Sequence, residues 1–348
     1  MKTNKVILDT MERCYAASNL KIDESTYAVM ASEAIGGPCY SYNIQDLTKR
    51  EVIWEKAGGT MSLIQIPERN GEFLAVQNFF PGFKSAGAKL VWGRRDHSER
   101  VWMIKDLAAL PFVHRFDIFN VNGQNFILAA VLCGSKKNRE DWSDPGKVYI
   151  GRLPDSPENG VEFTPILDGL CKNHGYCRGY YENRECGYVT CENGIFAILP
   201  PIAKIGGWEI RQIMDRPVGD VAFTDLDGCG TDEMAVIEPF HGDKVKIFKI
   251  IGKQYQEVYS YPKEIQFAHA ITGCTLRGVP SIVVGIRRLN SELFFIQCVD
   301  TVNQTYEATL IENGVGPSNI CVINEPDRDI ILSANHSKNE AAAYIITD

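Results

Sequence analysis

The sequence predicts an all-β chain folded as a single seven-bladed β-propeller over residues 1–348, and three observations lead there. Seven short apolar runs rich in β-branched residues recur roughly every 45 to 60 residues, the period of a four-stranded blade. Each run is followed by a second strand-like stretch, so the repeating unit is a hairpin. Helical signals are almost missing, since no long segment carries apolar residues at 3.6-residue spacing between caps.

The units follow in order. YAVMASEA from Tyr27 leads into PCYSYNI, FLAVQNFF from Phe73 into AKLVWGR, and FILAAVLC from Phe126 into GKVYIGRLP. GYVTCENG from Gly187 leads into GIFAILPP, EMAVIEPF from Glu233 into KVKIFKI, SIVVGIRR from Ser281 into ELFFIQCV, and IILSANHS from Ile330 into AAAYIITD. In most units a further short strand precedes the common run: MSLIQI, RFDIF, VAFTDL, AITGCTL and NICVI. A propeller blade sets this strand innermost and the common run second. The last unit reaches Asp348 with three strands. The N-terminal segment around Cys14 to Ile22 is expected to supply the fourth and close the ring.

Composition narrows the function classes. A net charge of −8 with scattered Lys and Arg gives no electrostatic footprint for nucleic acid. No apolar run approaches the roughly 18 to 20 residues of a membrane span. The N-terminus has only the run Val6-Ile7-Leu8, broken by Asp9, where a secretory leader needs a longer apolar core. The 11 cysteines are odd in number and lie mostly in strand-like stretches, as reduced buried thiols do. The expectation is a cytoplasmic protein. P-loop, G-x-S-x-G, H-E-x-x-H and dinucleotide fingerprints do not occur, which disfavours a nucleotide cofactor and serine-esterase chemistry.

Aligning the units makes the residue before each innermost strand comparable: Thr60, His114, His174, Asp220, His269 and Asn319, all polar. The antiparallel second strand ends near the same mouth, at Glu33, Asn78, Glu192, Glu238, Arg287 and Asn335, with Arg115 and His336 adjacent in sequence to members of these sets. Such a ring suits two chemistries. His114, His174 and His269, with Asp220 or a glutamate, can hold a divalent metal (Zn²⁺, Mg²⁺ or Ca²⁺) with an open position. Alternatively the histidines share acid and base work while Arg115 or Arg287 stabilises an enolate or carboxylate. The plain alternative is a set of polar side chains that solvate a water-filled channel. The ligand expected at this mouth is a small molecule or carbohydrate, lined by Glu33, Asn78, Glu192, Asp220, Glu238, Asn319 and Asn335.

Two longer inserts, 79–88 and 134–146, rise from the same mouth, and Trp142 offers either an apolar face for a sugar ring or a means of packing its loop. Blade four gathers Cys171, His174, Cys177, Cys186 and Cys191, without a paired C-x-x-C and with irregular spacing for zinc. NVNGQN at 120–125 reads as a turn. DLDGCGTDE at 225–233 resembles the calcium loop of FG-GAP and integrin-type repeats, D-x-D-G-D-G-x-x-D, through Asp225 and Asp227. Cys229 replaces an oxygen ligand and Glu233 the last aspartate, so a tight Asp/Gly turn is the competing reading.

VHRFDIFNVNGQNFILAAVLCG, at 113–134, is similar to VCBS/FG-GAP-like propeller repeats and most resembles the propeller domain of the aldos-2-ulose dehydratases. The resemblance implies a propeller and dehydration of a keto sugar through His114; no cupin-like extension accompanies it. A lyase, dehydratase or isomerase acting on carbohydrate is the leading expectation, and a noncatalytic ligand- or protein-binding scaffold its alternative.

Overall fold

A computed structural model describes residues 1–96, 101–203 and 206–348. The common runs are buried along nearly their whole length, which explains why they read as continuous apolar stretches and not as alternating ones. Two strands show it well: Gln124–Cys133 is buried over its last seven residues, and Asp329–Asn335 throughout. A strand covered on both faces by neighbouring sheets has no solvent side on which to place polar residues.

Among the described residues, 28 strands form seven four-stranded antiparallel sheets, the blades of a seven-bladed β-propeller. The chain opens with β1 (Lys2–Thr10). Blade one is β2 (Cys14–Ile22), β3 (Ser25–Ser32), β4 (Cys39–Asn43) and β5 (Asp46–Trp54). Blade two is β6 (Leu63–Gln65), β7 (Glu72–Gln77), β8 (Lys89–Asp96) and β9 (Val101–Ala109). Blade three is β10 (Val113–Val121), β11 (Gln124–Cys133), β12 (Pro145–Arg152) and β13 (Phe163–Leu170). Blade four is β14 (Gly175–Tyr181), β15 (Arg184–Cys191), β16 (Gly194–Leu199) and β17 (Glu209–Met214). Blade five is β18 (Asp220–Thr224), β19 (Glu233–Glu238), β20 (Lys244–Ile251) and β21 (Gln254–Ser260). Blade six is β22 (Gln266–Leu276), β23 (Val279–Arg288), β24 (Leu293–Asp300) and β25 (Thr305–Glu312). Blade seven is β26 (Pro317–Asn324), β27 (Asp329–Asn335) and β28 (Glu340–Thr347), completed by β1 in the order β26-β27-β28-β1.

All seven common runs therefore form second strands. One expectation is corrected: the strand that joins blade seven is Lys2–Thr10, whereas Cys14–Ile22 is the innermost strand of blade one. The reason lies in burial. Cys14–Ile22 is mostly buried, as an inner strand must be, while Lys2–Thr10 is exposed or half-buried along its length, as an outer strand is.

The chain divides into two compact units, Met1–Tyr15 with Pro217–Asp348, and Ala16–Arg216. In the first, Ile237, Ile247, Ile282 and Phe294 share one core, and Val283, Phe295, Ile331 and Tyr344 another. In the second, Leu20, Val29, Phe73 and Val91 pack together, as do Phe119, Leu128, Val148 and Val189. Each core lies between neighbouring sheets, and burying one such side chain contributes roughly 1.5–3 kcal/mol. Asn122 and Gly123, at φ 51° and 79°, make the β10–β11 connection a two-residue turn with both central residues left-handed, which is why an Asn-Gly pair stands there.

Candidate functional site

Backbone bulges place the two best-matched histidines. In blade three the ladder passes from Val113↔Val131 to Arg115↔Ala130, leaving His114 as the extra residue. In blade six it passes from Ala268↔Ile286 to Ala270↔Gly285, leaving His269 in the same position. A bulge kinks its strand and re-aims the side chain it carries. His114, Asp220, His269 and Asn319 accordingly lie within the innermost strands, not before them as the sequence pattern suggested. Thr60 and His174 do precede their strands.

These positions stitch one blade to the next. In the Ala16–Arg216 unit, the Ser62 hydroxyl donates to the His114 carbonyl at 3.2 Å, and His114 Nδ1 donates to the His174 carbonyl at 3.1 Å. The His114 and His174 rings lie 4.4 Å apart, and Phe79 meets the His114 ring edge-on at 5.0 Å. In the other unit, His269 Nδ1 donates to the Ser318 carbonyl at 2.8 Å, and the Ser318 hydroxyl donates to the Cys14 carbonyl at 2.9 Å. A carbonyl only accepts, so both histidines carry the proton on Nδ1. His114, His174 and His269 are each 2% exposed. The Tyr15 hydroxyl lies 3.3 Å from His269 Nε2, which accepts from it.

The remaining expected residues are held locally. The Asp220 and Asn319 side chains accept from the N–H of the next residue, at 2.9 and 3.0 Å. Thr60 is buried and donates its N–H to the Ser32 carbonyl at 3.2 Å. Arg115 donates to the Met61 carbonyl at 3.4 Å. Glu33 is buried, Asn78 takes a left-handed φ of 63°, and Glu192 pairs with Lys172. Glu238 lies 3.6 Å from Lys246. Asn335 is wholly buried, bonded to Ser333, Glu340 and Tyr344.

Arg287 belongs to a different kind of assembly, in the unit that holds Pro217–Asp348. Phe240 stacks on His241 at 3.8 Å between ring centroids, and His241 on Phe267 at 4.2 Å. The guanidinium carbons of Arg287 and Arg288 sit 5.0 and 4.7 Å from the centre of the Phe267 ring. Arg287 also donates to His336 Nδ1 at 2.7 Å. Phe240, His241, Phe267, Arg287 and His336 are half-buried and Arg288 is exposed. Two of the stacked residues are strained: His241 has φ 49° and Phe267 φ 62°, a region bulky side chains rarely adopt and one that clusters at ligand sites. The turn carrying His241 also depends on Gly242, where a Cβ would fall 2.0 Å from the Glu238 carbonyl oxygen. Sequence alignment missed Phe240, His241 and Phe267 because they stand off the aligned positions. For Phe240 and His241 the signal was the Pro-Phe-His-Gly run directly after a second strand.

Three other candidates resolve physically. Trp142 is packed by its own loop and by the 79–88 insert: Lys136 Nζ sits 3.3 Å from its ring centre and Phe83 meets it edge-on at 5.3 Å. In the calcium-like loop the Lys249 ammonium stands against Asp227 and 3.2 Å from Glu233, whose side chains are 4% and 0% exposed. Burial alone would lower the Lys249 pKa, but its hydrogen bonds to the two carboxylates outweigh this and raise it. In blade four, burial pushes the Cys186 and Cys191 thiols up to about 11, so they stay protonated near neutrality and offer little thiolate to a metal.

No family profile matches the sequence, and no curated protein matches it. Solved structures do match, 732 chains in all, and a fold shared that widely assigns no activity by itself. One is the crystal structure of Sqt1 from Saccharomyces cerevisiae, a propeller, at 6% identity and a TM-score of 0.59, covering 94% of this chain and 82% of that one. The likeness establishes the fold; it does not carry the resemblance to VCBS/FG-GAP-like repeats or to aldos-2-ulose dehydratases.

Proposed function

We propose that the chain is a noncatalytic ligand-binding propeller whose matched histidines hold blades together and whose contact surface is the column Phe240–His241–Phe267 with Arg287, Arg288 and His336. What carries this reading is the use made of His114 and His269. Each is 98% buried, and each commits its Nδ1 proton to the carbonyl of the next blade. Each such bond is worth about 0.5–1.5 kcal/mol net, and leaving the buried carbonyl unpaired costs more.

His114→Ala and His269→Ala are expected to lower the melting temperature by a few degrees each, read by differential scanning fluorimetry. Phe240→Ala is expected to leave it nearly unchanged while weakening capture of sugars on a carbohydrate panel. One observation favours a second, catalytic reading: Tyr15 and His269 Nε2 form a pair able to relay a proton. Release of a dehydrated or isomerised product from a keto sugar, abolished in Tyr15→Phe with folding intact, would replace the binding reading. Stoichiometric metal in the purified protein, lost in His114→Ala or His269→Ala, would replace it with a metal-assisted one.

A further inference from the structure

Arginine stacked on an aromatic ring has its plane fixed and its N–H edge directed outward, which is the arrangement that grips a planar oxyanion through two parallel hydrogen bonds. The β22–β23 ladder builds this arrangement from cross-strand neighbours. Gln266 pairs with Arg288 and Ala268 with Ile286, so Phe267 faces Arg287 between them. The left-handed backbone at Phe267 accompanies a ring position that takes both guanidiniums at 5.0 and 4.7 Å. The ring also stacks on His241, and His241 on Phe240, which makes the stack a rigid support. His336, at the start of a short 3₁₀ turn, accepts from Arg287 and restrains it further. Two guanidiniums and two imidazoles thus gather at one place on a chain whose net charge is −8.

We infer that this cluster is an oxyanion receptor and that the ligand is an acidic sugar, its carboxylate or phosphate held by Arg287 and Arg288. The inference rests on the column being the contact surface, as proposed above. Arg287 is the specificity-determining residue: it reads the charged substituent and leaves the neutral part of the sugar to the rest of the surface.

The test is isothermal titration of the full chain with glucuronate, glucose 6-phosphate and glucose at matched ionic strength, for the wild type, Arg287→Lys and Phe240→Ala. Glucuronate binding that weakens tenfold or more in Arg287→Lys, with glucose silent, supports the inference, because lysine keeps the charge and loses the fork. Tighter binding of glucose 6-phosphate with the same loss supports it too and identifies phosphate as the source of the oxyanion. Glucose binding as well as glucuronate, indifferent to Arg287→Lys but lost in Phe240→Ala, overturns the oxyanion receptor and leaves the binding reading standing. No binding by any of the three overturns both. Melting temperatures of the two variants, and the second conservative change Arg288→Lys, separate loss of binding from loss of folding.

Discussion

A single buried ammonium governs the loop from Asp225 to Glu233. Lys249 neutralises Asp227 and Glu233, and the Glu233 carboxylate accepts from the Leu226 N–H at 2.7 Å. Burial would raise both acids. It prevails at Glu233, whose pKa is raised, whereas hydrogen bonds hold Asp227 below its ordinary value. Lys249→Met leaves two carboxylates buried without their cation, and a loss of about 3–5 kcal/mol is expected in urea unfolding. Adding Glu233→Gln to Lys249→Met should recover part of that loss; no recovery would place the stabilisation elsewhere. This also marks the limit of sequence reading for single residues. The Asp-x-Asp-Gly pattern was visible, but the cation facing it comes from β20, with nothing local in the sequence to pair it. The three matched histidines were visible for the opposite reason, since repeats align them. The partners of His114 and His269 are main-chain carbonyls of the next repeat, which no side-chain pattern encodes.

Individual strands owe their places to burial and edge chemistry. β1 is fastened to blade seven through its ladder with β28, and Lys5 adds ion pairs to Glu312 of β25 at 2.9 Å and Glu340 at 2.6 Å. Glu312 also pairs with Lys338 and accepts from the Tyr344 hydroxyl at 2.7 Å. Burial would raise the Glu312 pKa, but these hydrogen bonds overcome it and hold the carboxyl at about 2, against 4.5 ordinarily. A depressed folded-state pKa means stabilisation present above about pH 4.5 and lost as pH falls toward 2. Glu312→Gln should cost about 1–2 kcal/mol at neutral pH, for a network that is partly exposed. In thermal melts the gap between variant and wild type should close over that acid window; a gap constant down to pH 2 would refute the assignment. The second strands of every blade were legible because burial on both faces makes them largely apolar, and the third strands because each follows its run as the other half of a repeated hairpin. β1 was not, since Lys2-Thr3-Asn4-Lys5 reads as tail and its pairing lies at the far end of the chain. The starts of β10 and β22 were placed too late because the bulges at His114 and His269 interrupt the apolar pattern.

For the whole molecule, stability comes from seven repeated sheets without covalent staples. All 11 cysteines are free, and Cys229 alone is exposed, with five half-buried and five buried. Titration with a thiol reagent should therefore show one fast-reacting group in the native protein and 11 after denaturation; a lower final count would reveal disulfides. The propeller was legible from the period of the repeat, a property of the whole chain that survives local errors of register. The column Phe240–His241–Phe267 was not, because it depends on two left-handed backbone positions that leave no periodic trace. One topological fact reaches into synthesis. Lys2 lies across from Thr347, so β1 finds its partner only when β28 emerges, tens of seconds later at about 5–20 residues per second. Through that interval the nascent β1 has to remain soluble and decline other partners. Lys2, Asn4, Lys5 and Asp9 suit it to waiting on the ribosome, just as they later suit it to the outer rim.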